Sequence, residues 1–236
     1  MCNFAGFIWN RMAKNKLQRF AELENMQRVF QPASAYADRD YPLKGKWHAE
    51  VFGNNHPIVL ELGCGKGEYT IGLARLFPKK NFIGIDRKGA RIWRGAKTIN
   101  DEVVTNAAFM RLQIQHLASV FAPGEVQEIW ITFPDPQPQK TREKSRLTGP
   151  RFLEMYRGLL VEGGLIHLKT DSFPLYEFSV AAAMEAGAEI RESTADLYAS
   201  LDSDPVLDIK TTYEKRFLEQ GLKICYLSFS LPPKSN

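Results

Sequence analysis

The sequence predicts an α/β fold: a Rossmann-like, mostly parallel sheet with helices on both faces and an antiparallel strand pair near its end. Three observations predict it. Between residues 57 and 230, short apolar runs alternate with amphipathic ones, the pattern of repeated strand–helix units. Glycines, acids and amides cluster just after the apolar runs, where a parallel sheet places its ligands: Gly63 to Gly67, Asp86, Gln113, Phe133 to Pro136, and Thr170-Asp171. The last two apolar runs, within 189–197 and 222–230, pair as antiparallel strands. A chain of 236 residues suits one such domain. We assign it to residues 56–236, with residues 1–55, polar and then Pro- and Tyr-rich, as an arm.

The elements follow in order. "PIVLELGCGKG" is an apolar strand ending in glycines. "EYTIGLARLFP" sets Ile71, Leu73, Ala74 and Leu76 on one helical face, and Pro78 stops it. "NFIGID" is a second strand. In "RKGARIWRGAKTINDEV", Ile92, Ala96, Ile99 and Val103 form one helix stripe, with Arg87, Arg91 and Arg94 on a different face. "AAFMRLQ" and "EIWITF" are the third and fourth strands. "PRFLEMYRGLLVEGG" is a helix ended by its glycines. "LIHLKTD" is a fifth strand, and "PLYEFSVAAAMEAG" is a helix with proline at its start. Residues 211–214 fall in a polar connection before the last strand.

Composition excludes several classes. Apolar content of 44% and charged content of 25% are those of a globular protein. Cys2, Cys64 and Cys225 form no C-x-x-C pair, and the four histidines have no metal-ligand spacing. That argues against a zinc site or a disulfide framework and fits a reducing cytoplasm. No apolar run reaches the roughly 18 residues of a membrane span, and the start is a poor signal peptide. Residues 1–11 read as an extension outside the fold. The net charge is only +4, but the cations are clustered. Arg87, Lys88, Arg91, Arg94 and Lys97 occur without an acid among them; Lys140, Arg142, Lys144 and Arg146 surround only Glu143. Such clusters suit a polyanion-binding face, and each alone is equally a solvated surface.

The glycine loop selects the cofactor. In "ELGCGKGE", a dinucleotide fingerprint would need glycine at position 68, where Glu68 stands, and a Walker loop is absent. Glu61 and Glu68 flank the turn and would repel a pyrophosphate. A ligand with a cationic end and no phosphate suits it better, and S-adenosylmethionine is one. Gly63, Gly65 and Gly67 would form its turn. Asp86, ending the next strand, is placed to accept both ribose hydroxyls.

Taken together, "VLELGCGKGE", "GIDRKGARI", "FPDPQPQK" with "REKSRL", "GGLIHLKTD" and "TTYEKRF" resemble the bacterial tRNA (guanine-N7)-methyltransferases, from about residue 56 to 230. The resemblance implies the class I methyltransferase fold, a seven-stranded sheet with a terminal antiparallel hairpin. It implies methyl transfer from S-adenosylmethionine, leaving S-adenosylhomocysteine, to N7 of a guanosine in the tRNA variable loop, without a metal. It also places Glu61, Asp86, Gln113 and Asp135 at the cofactor, with Asp135 the catalytic candidate, and Asp171 and Thr211, Thr212, Tyr213 and Glu214 at the substrate. Two positions depart from the family pattern: Gln137 stands where tryptophan is usual, and Gln139 where a substrate-contacting lysine is expected, with Lys140 one place on. Gln113 replaces a common aspartate, and its amide can still bond an adenine edge.

Guanine N7 carries a lone pair and no proton, so its methylation needs no general base. It needs alignment, and a carboxylate accepting from the guanine edge as the base becomes cationic. Asp135, held between Pro134 and Pro136, is such an acceptor; as a turn residue it would instead bond its own backbone. Asp171 is either a second acceptor or a helix cap. Lys140, Arg142 and Arg146 would hold RNA phosphates, a loop without apolar residues that stays mobile until RNA binds. Tyr213 either stacks on a base or anchors its loop. Three other readings compete: methylation of another RNA, a protein or a small molecule, which the cationic clusters oppose; adenine or cytosine amino-methylation, which wants Asn/Asp-Pro-Pro-aromatic; and a non-catalytic RNA-binding protein, which the intact acids oppose. The partner expected is tRNA, with no membrane and no obligate protein partner, for a monomer or homodimer.

Overall fold

The computed structural model describes residues 18–32, 39–200, 202 and 204–234; the reading of residues 1–11 as an extension lies outside them. The strands are β1 (Val29–Phe30), β2 (Ile58–Leu62), β3 (Asn81–Asp86), β4 (Ala107–Arg111), β5 (Val126–Thr132), β6 (Leu160–Thr170), β7 (Glu189–Thr194) and β8 (Cys225–Ser230). They form one sheet in the order β1-β4-β3-β2-β5-β6-β8-β7. Pairing is parallel from β1 through β6, and β8 runs antiparallel to both β6 and β7. The expected terminal hairpin is thus present, with β8 inserted between β6 and β7. Among the described residues the strands number eight rather than seven, because the two-residue β1 pairs with β4 and extends that side of the sheet.

β2 and β3 are buried on both faces, as parallel strands covered by helices on each side must be. From β2 onward the α-helices are α1 (Glu68–Leu76), α2 (Gly89–Asp101), α3 (Leu117–Val120), α4 (Pro150–Leu159), α5 (Phe173–Glu185), α6 (Leu197–Ser200) and α7 (Thr212–Glu219). In α2, Ile92, Ala96 and Ile99 are buried as their spacing requires. Val103 is not part of that stripe: the helix ends at Asp101, and Val103 lies exposed with φ of +55°. Leu76 is likewise exposed at the end of α1.

Two boundaries differ from expectation. The helix over 150–164 ends at Leu159, and Gly163-Gly164 belongs to β6. Leu160 pairs with Val126 but Leu165 with Glu128, so the strand bulges over the residues between. Gly163 takes φ of +71° there, which needs no side chain to move. Residues 212–219 form α7 rather than an irregular connection, with Thr211 capping it by accepting from Glu214 N–H.

Residues that precede β2 pack against the rest of the fold. Trp47 is fully buried, donates from Nε1 to Val120 O and lies against Phe121. Glu125 accepts from the N–H groups of Gly45, Trp47 and Ala122. Farther upstream, Phe20 packs on Gly89 and the Arg111 side chain. Among the described residues, no helix is long and apolar enough to cross a membrane.

Candidate active site at the carboxyl ends of the strands

The glycine turn follows β2. Gly63, Gly65 and Gly67 have φ of +79°, +55° and +74°, conformations open to glycine at little cost. The N–H groups of Gly63 and Cys64 donate to Ile85 O on β3, and Gly67 N–H donates to Cys64 O. The ring of Phe109 is the template underneath. A Cβ on Gly67, Gly84 or Gly95 would come within 2.3, 2.6 or 2.5 Å of that ring. At Gly63, by contrast, a Cβ would meet nothing within 4 Å, and at Gly65 only Gly63 O at 4.0 Å. The turn is tight toward the core and open above, where a ligand would lie.

Two acids support it. Asp86 ends β3; its carboxylate accepts from Gly65 N–H at 3.1 Å and from Lys88 N–H at 2.8 Å, and each oxygen keeps acceptor capacity. Glu61, on β2, is buried. It accepts from Thr70 N–H at 2.8 Å, from the Thr70 hydroxyl, and from the Thr132 hydroxyl at 2.8 Å. Burial pushes its pKa up to about 7, against those three hydrogen bonds, which favour the carboxylate. Gln113 lies exposed after β4, at the start of a one-turn 3-10 segment (Ile114–His116), and makes no capping bond.

The Phe-Pro-Asp-Pro-Gln segment follows β5, next to β2 in the sheet. Phe133 and Gln137 both take left-handed backbone conformations, φ of +49° and +46°, which are uncommon without glycine. Asp135 between them is exposed, and its Oδ1 accepts from Gln137 N–H at 3.1 Å. The turn-forming bond is therefore present, and it occupies Oδ1 alone. Lys140 and Arg142 lie exposed on a short 3-10 helix (Lys140–Ser145) and make no ion pair among those residues. Arg146 differs: its side chain is 13% exposed and its guanidinium donates to Pro136 O and Gln137 O.

Asp171 follows β6. The cap of α5 is Ser172, whose hydroxyl accepts from Leu175 N–H, so Asp171 is free of that duty. It is half-buried, and desolvation pushes its pKa up. The Thr-Thr-Tyr-Glu segment opens α7. Thr212 donates from its N–H, at 2.9 Å, and from its hydroxyl to the carboxylate of Glu68, the first residue of α1. Glu214 is fully buried, pairs with the equally buried Lys169 at 2.8 Å and accepts from Tyr198 Oη at 2.6 Å. Lys169 also donates to Leu207 O at 2.8 Å; burial pulls its pKa down, and Glu214 opposes that. Tyr213 stays 44% exposed beside Phe217, which packs in turn on Phe133.

The structure thus brings Gly63 to Gly67, Asp86, Glu61, Asp135 and Asp171 to the ends of β2, β3, β5 and β6. It turns Glu214 inward. Sequence reasoning passed over Glu68 as a link to Thr212, and over Lys169. The second had a visible signal: a lysine in the middle of the apolar run "LIHLKTD" has to find a buried partner. Among the described residues, no group of three His, Cys, Asp or Glu side chains could hold a metal ion.

Residues 55–227 match the profile of a family described as "Putative methyltransferase". A tRNA (guanine-N(7)-)-methyltransferase of Christiangramia forsetii is 50% identical over 93% of this chain and 99% of its own. That of Porphyromonas gingivalis is 51% identical over 89% and 86%, and that of Bacteroides fragilis 49% identical over 94% and 87%. Among solved structures, the 16S rRNA methyltransferase KamB superposes with a TM-score of 0.64 at 16% identity, over 88% of this chain and all of its own, a likeness of fold. The chain belongs to the tRNA (guanine-N(7)-)-methyltransferase family.

Proposed function

We propose that this protein methylates tRNA at N7 of a guanosine in the variable loop, using S-adenosylmethionine, with Asp135 as the catalytic carboxylate. One observation carries the residue assignment: the glycine turn, Asp86 and Asp135 lie at the carboxyl ends of β2, β3 and β5, three neighbouring parallel strands.

The residues fit the cofactor. The open space above Gly63 and Gly65 suits a ligand pressed close to backbone. The acceptor capacity left on Asp86 suits ribose hydroxyls, and Gln113 is free to bond an adenine edge. Glu61 sits beneath the turn as an acid whose ionised form a cationic ligand would favour. When bound, S-adenosylmethionine supplies an electrophilic methyl carbon on a sulfonium.

The chain's own residues then have distinct tasks. Asp135 accepts from the guanine edge, whose N–H groups become more acidic as positive charge develops on the base. That bond strengthens toward the transition state, which is what raises turnover. Asp171, half-buried and not used as a cap, is a second acceptor across the same opening. Tyr213, exposed on α7 beside Phe217, offers a stacking face to a base. Thr211, Thr212 and Glu214 hold that face in place through the helix cap, Glu68 and Lys169. Lys140 and Arg142, with Arg87, Arg91 and Arg94 exposed on the far side of the opening, form the phosphate track. Residues 1–55 act as an arm on a catalytic domain of 56–236, a reading that the burial of Trp47 and the packing of Phe20 on Gly89 support.

The test is transfer of labelled methyl from S-adenosylmethionine to bulk tRNA, followed by identification and mapping of the modified base. Label at guanine N7 in the variable loop is expected. Label on adenine, or no transfer, overturns the proposal.

A further inference from the structure

Arg146 lies in the basic segment, yet it is placed unlike the other cations there. Lys140, Arg142 and Lys144 are exposed. The Arg146 side chain is 13% exposed and directed back at the Pro-Asp-Pro-Gln loop. Its Nε donates to Pro136 O and its Nη2 to Gln137 O, each at 3.3 Å. Nη1 lies 3.5 Å from Glu143 Oε2, and the guanidinium carbon sits 4.3 Å from the Phe178 ring centroid. The backbone of Arg146 is held as well, by its N–H to Glu143 O and its carbonyl to Gly149 N–H.

The bond to Pro136 O has a specific consequence. Pro136 C=O and Gln137 N–H belong to one planar peptide unit. Arg146 grips the oxygen end of that unit. The N–H end donates to Asp135 Oδ1 at 3.1 Å. Fixing the plane from one end therefore aims the carboxylate at the other. The unit needs fixing, because Gln137 takes a left-handed conformation, as does Phe133 at the start of the same loop. Such residues persist only where their surroundings over-determine them. A planar fork with two carbonyls in reach supplies that, and a lysine ammonium does not.

We propose that Arg146 is a positioning residue for Asp135 and not a phosphate contact. It locks the peptide that orients the catalytic carboxylate. This rests on the assignment of Asp135, so the experiment separates the two. Steady-state kinetics with tRNA, and the salt dependence of tRNA affinity, are measured for wild type, Asp135→Asn, Arg142→Ala, Arg146→Ala and Arg146→Lys, with thermal midpoints recorded. The charge-conserving Arg146→Lys is expected to lower kcat by about tenfold or more, the scale of a misaligned catalytic group. Its KM for tRNA should stay within about twofold and its salt slope unchanged. Arg142→Ala should raise KM for tRNA and reduce the salt slope by about one.

Wild-type kcat in Arg146→Lys overturns the proposal. So does a loss of tRNA affinity in Arg146→Ala with the salt-slope reduction seen for Arg142→Ala. Wild-type turnover in Asp135→Asn removes Asp135 from the mechanism instead, and with it the reason for positioning it. If Arg146→Lys does not fold, Phe178→Leu takes its place, since it removes the platform under the guanidinium and keeps the charge. A several-fold drop in kcat at unchanged KM is expected there, and wild-type kcat in the folded Phe178→Leu protein overturns the proposal.

Discussion

The turns after β2 and β5 leave neighbouring parallel strands side by side, paired as Leu62 with Ile131, and they solve the same backbone problem in opposite ways. After β2, each left-handed position is a glycine; Phe109 fills the side-chain space at Gly67, and that at Gly63 and Gly65 stays open. After β5, the left-handed positions are Phe133 and Gln137. Nothing intrinsic favours that geometry, so it is held from outside by Arg146 and by Asp135's own bond to Gln137 N–H. The first turn is a local property of its residues and forms a surface for a ligand to lie against. The second is a supported device that presents one carboxylate. Where backbone must approach a ligand, removing side chains suffices; where a side chain must be aimed, strain and bracing are required.

The largest effect expected from breaking this contrast is at Asp135. Asp135→Ala should lower kcat by about a hundredfold or more, with cofactor affinity within about tenfold; single-turnover methylation and calorimetry measure the two. Next is Gly67→Ala. A left-handed alanine with its Cβ 2.3 Å from the Phe109 ring should cost about 2–4 kcal/mol, read as a fall in denaturation midpoint. The two turns then offer a mirror experiment. Gly63→Ala meets no neighbour and should cost only the backbone term, about 1 kcal/mol. Gln137→Gly should relieve that same term and leave stability equal or higher by up to about 1 kcal/mol, while lowering turnover, because the loop gains freedom. A loss of stability in Gln137→Gly would end the strain argument.

An effect of similar size is a pH dependence. Glu61 in the folded protein holds its proton up to about pH 7, whereas its ordinary pKa is 4.5. Across that window this group lowers stability as pH rises, because the folded state binds the proton more tightly. A cationic ligand over the turn favours the ionised form, so its binding releases a proton below pH 7. Affinity for S-adenosylmethionine should then increase by up to about tenfold from pH 6 to pH 8. Calorimetry in buffers of different ionisation enthalpy would show the released proton, and Glu61→Gln should flatten the profile.

Much of this architecture is legible in the sequence. The order of strands and helices, the placement of the candidate residues at the strand ends, the three glycines and the acid that ends β3 all follow from local rules: a side-chain period of two or 3.6, and glycine where φ is positive. Sequence and structure part where local signals are ambiguous. Gly163-Gly164 has the look of a helix stop and is a bulge inside β6. Val103 fits a helical spacing that the chain has already left. A two-residue β1 is too short to leave a pattern, so the eighth strand carries no signal of its own.

By itself, the sequence determined the fold class, the family resemblance and the set of residues at the mouth of the sheet, because each depends on residues close together in the chain. The tertiary structure alone decided how those residues are used. Arg146 reads as one more cation in a basic run, and only the return of the chain puts its fork on Pro136 and Gln137. Thr212 and Glu68 lie far apart in sequence and share two hydrogen bonds. Glu214, expected at the substrate, is fully buried and paired with Lys169. A charged or hydrogen-bonding side chain is satisfied by whichever partner the folded path brings to it, and that path is a property of the whole chain.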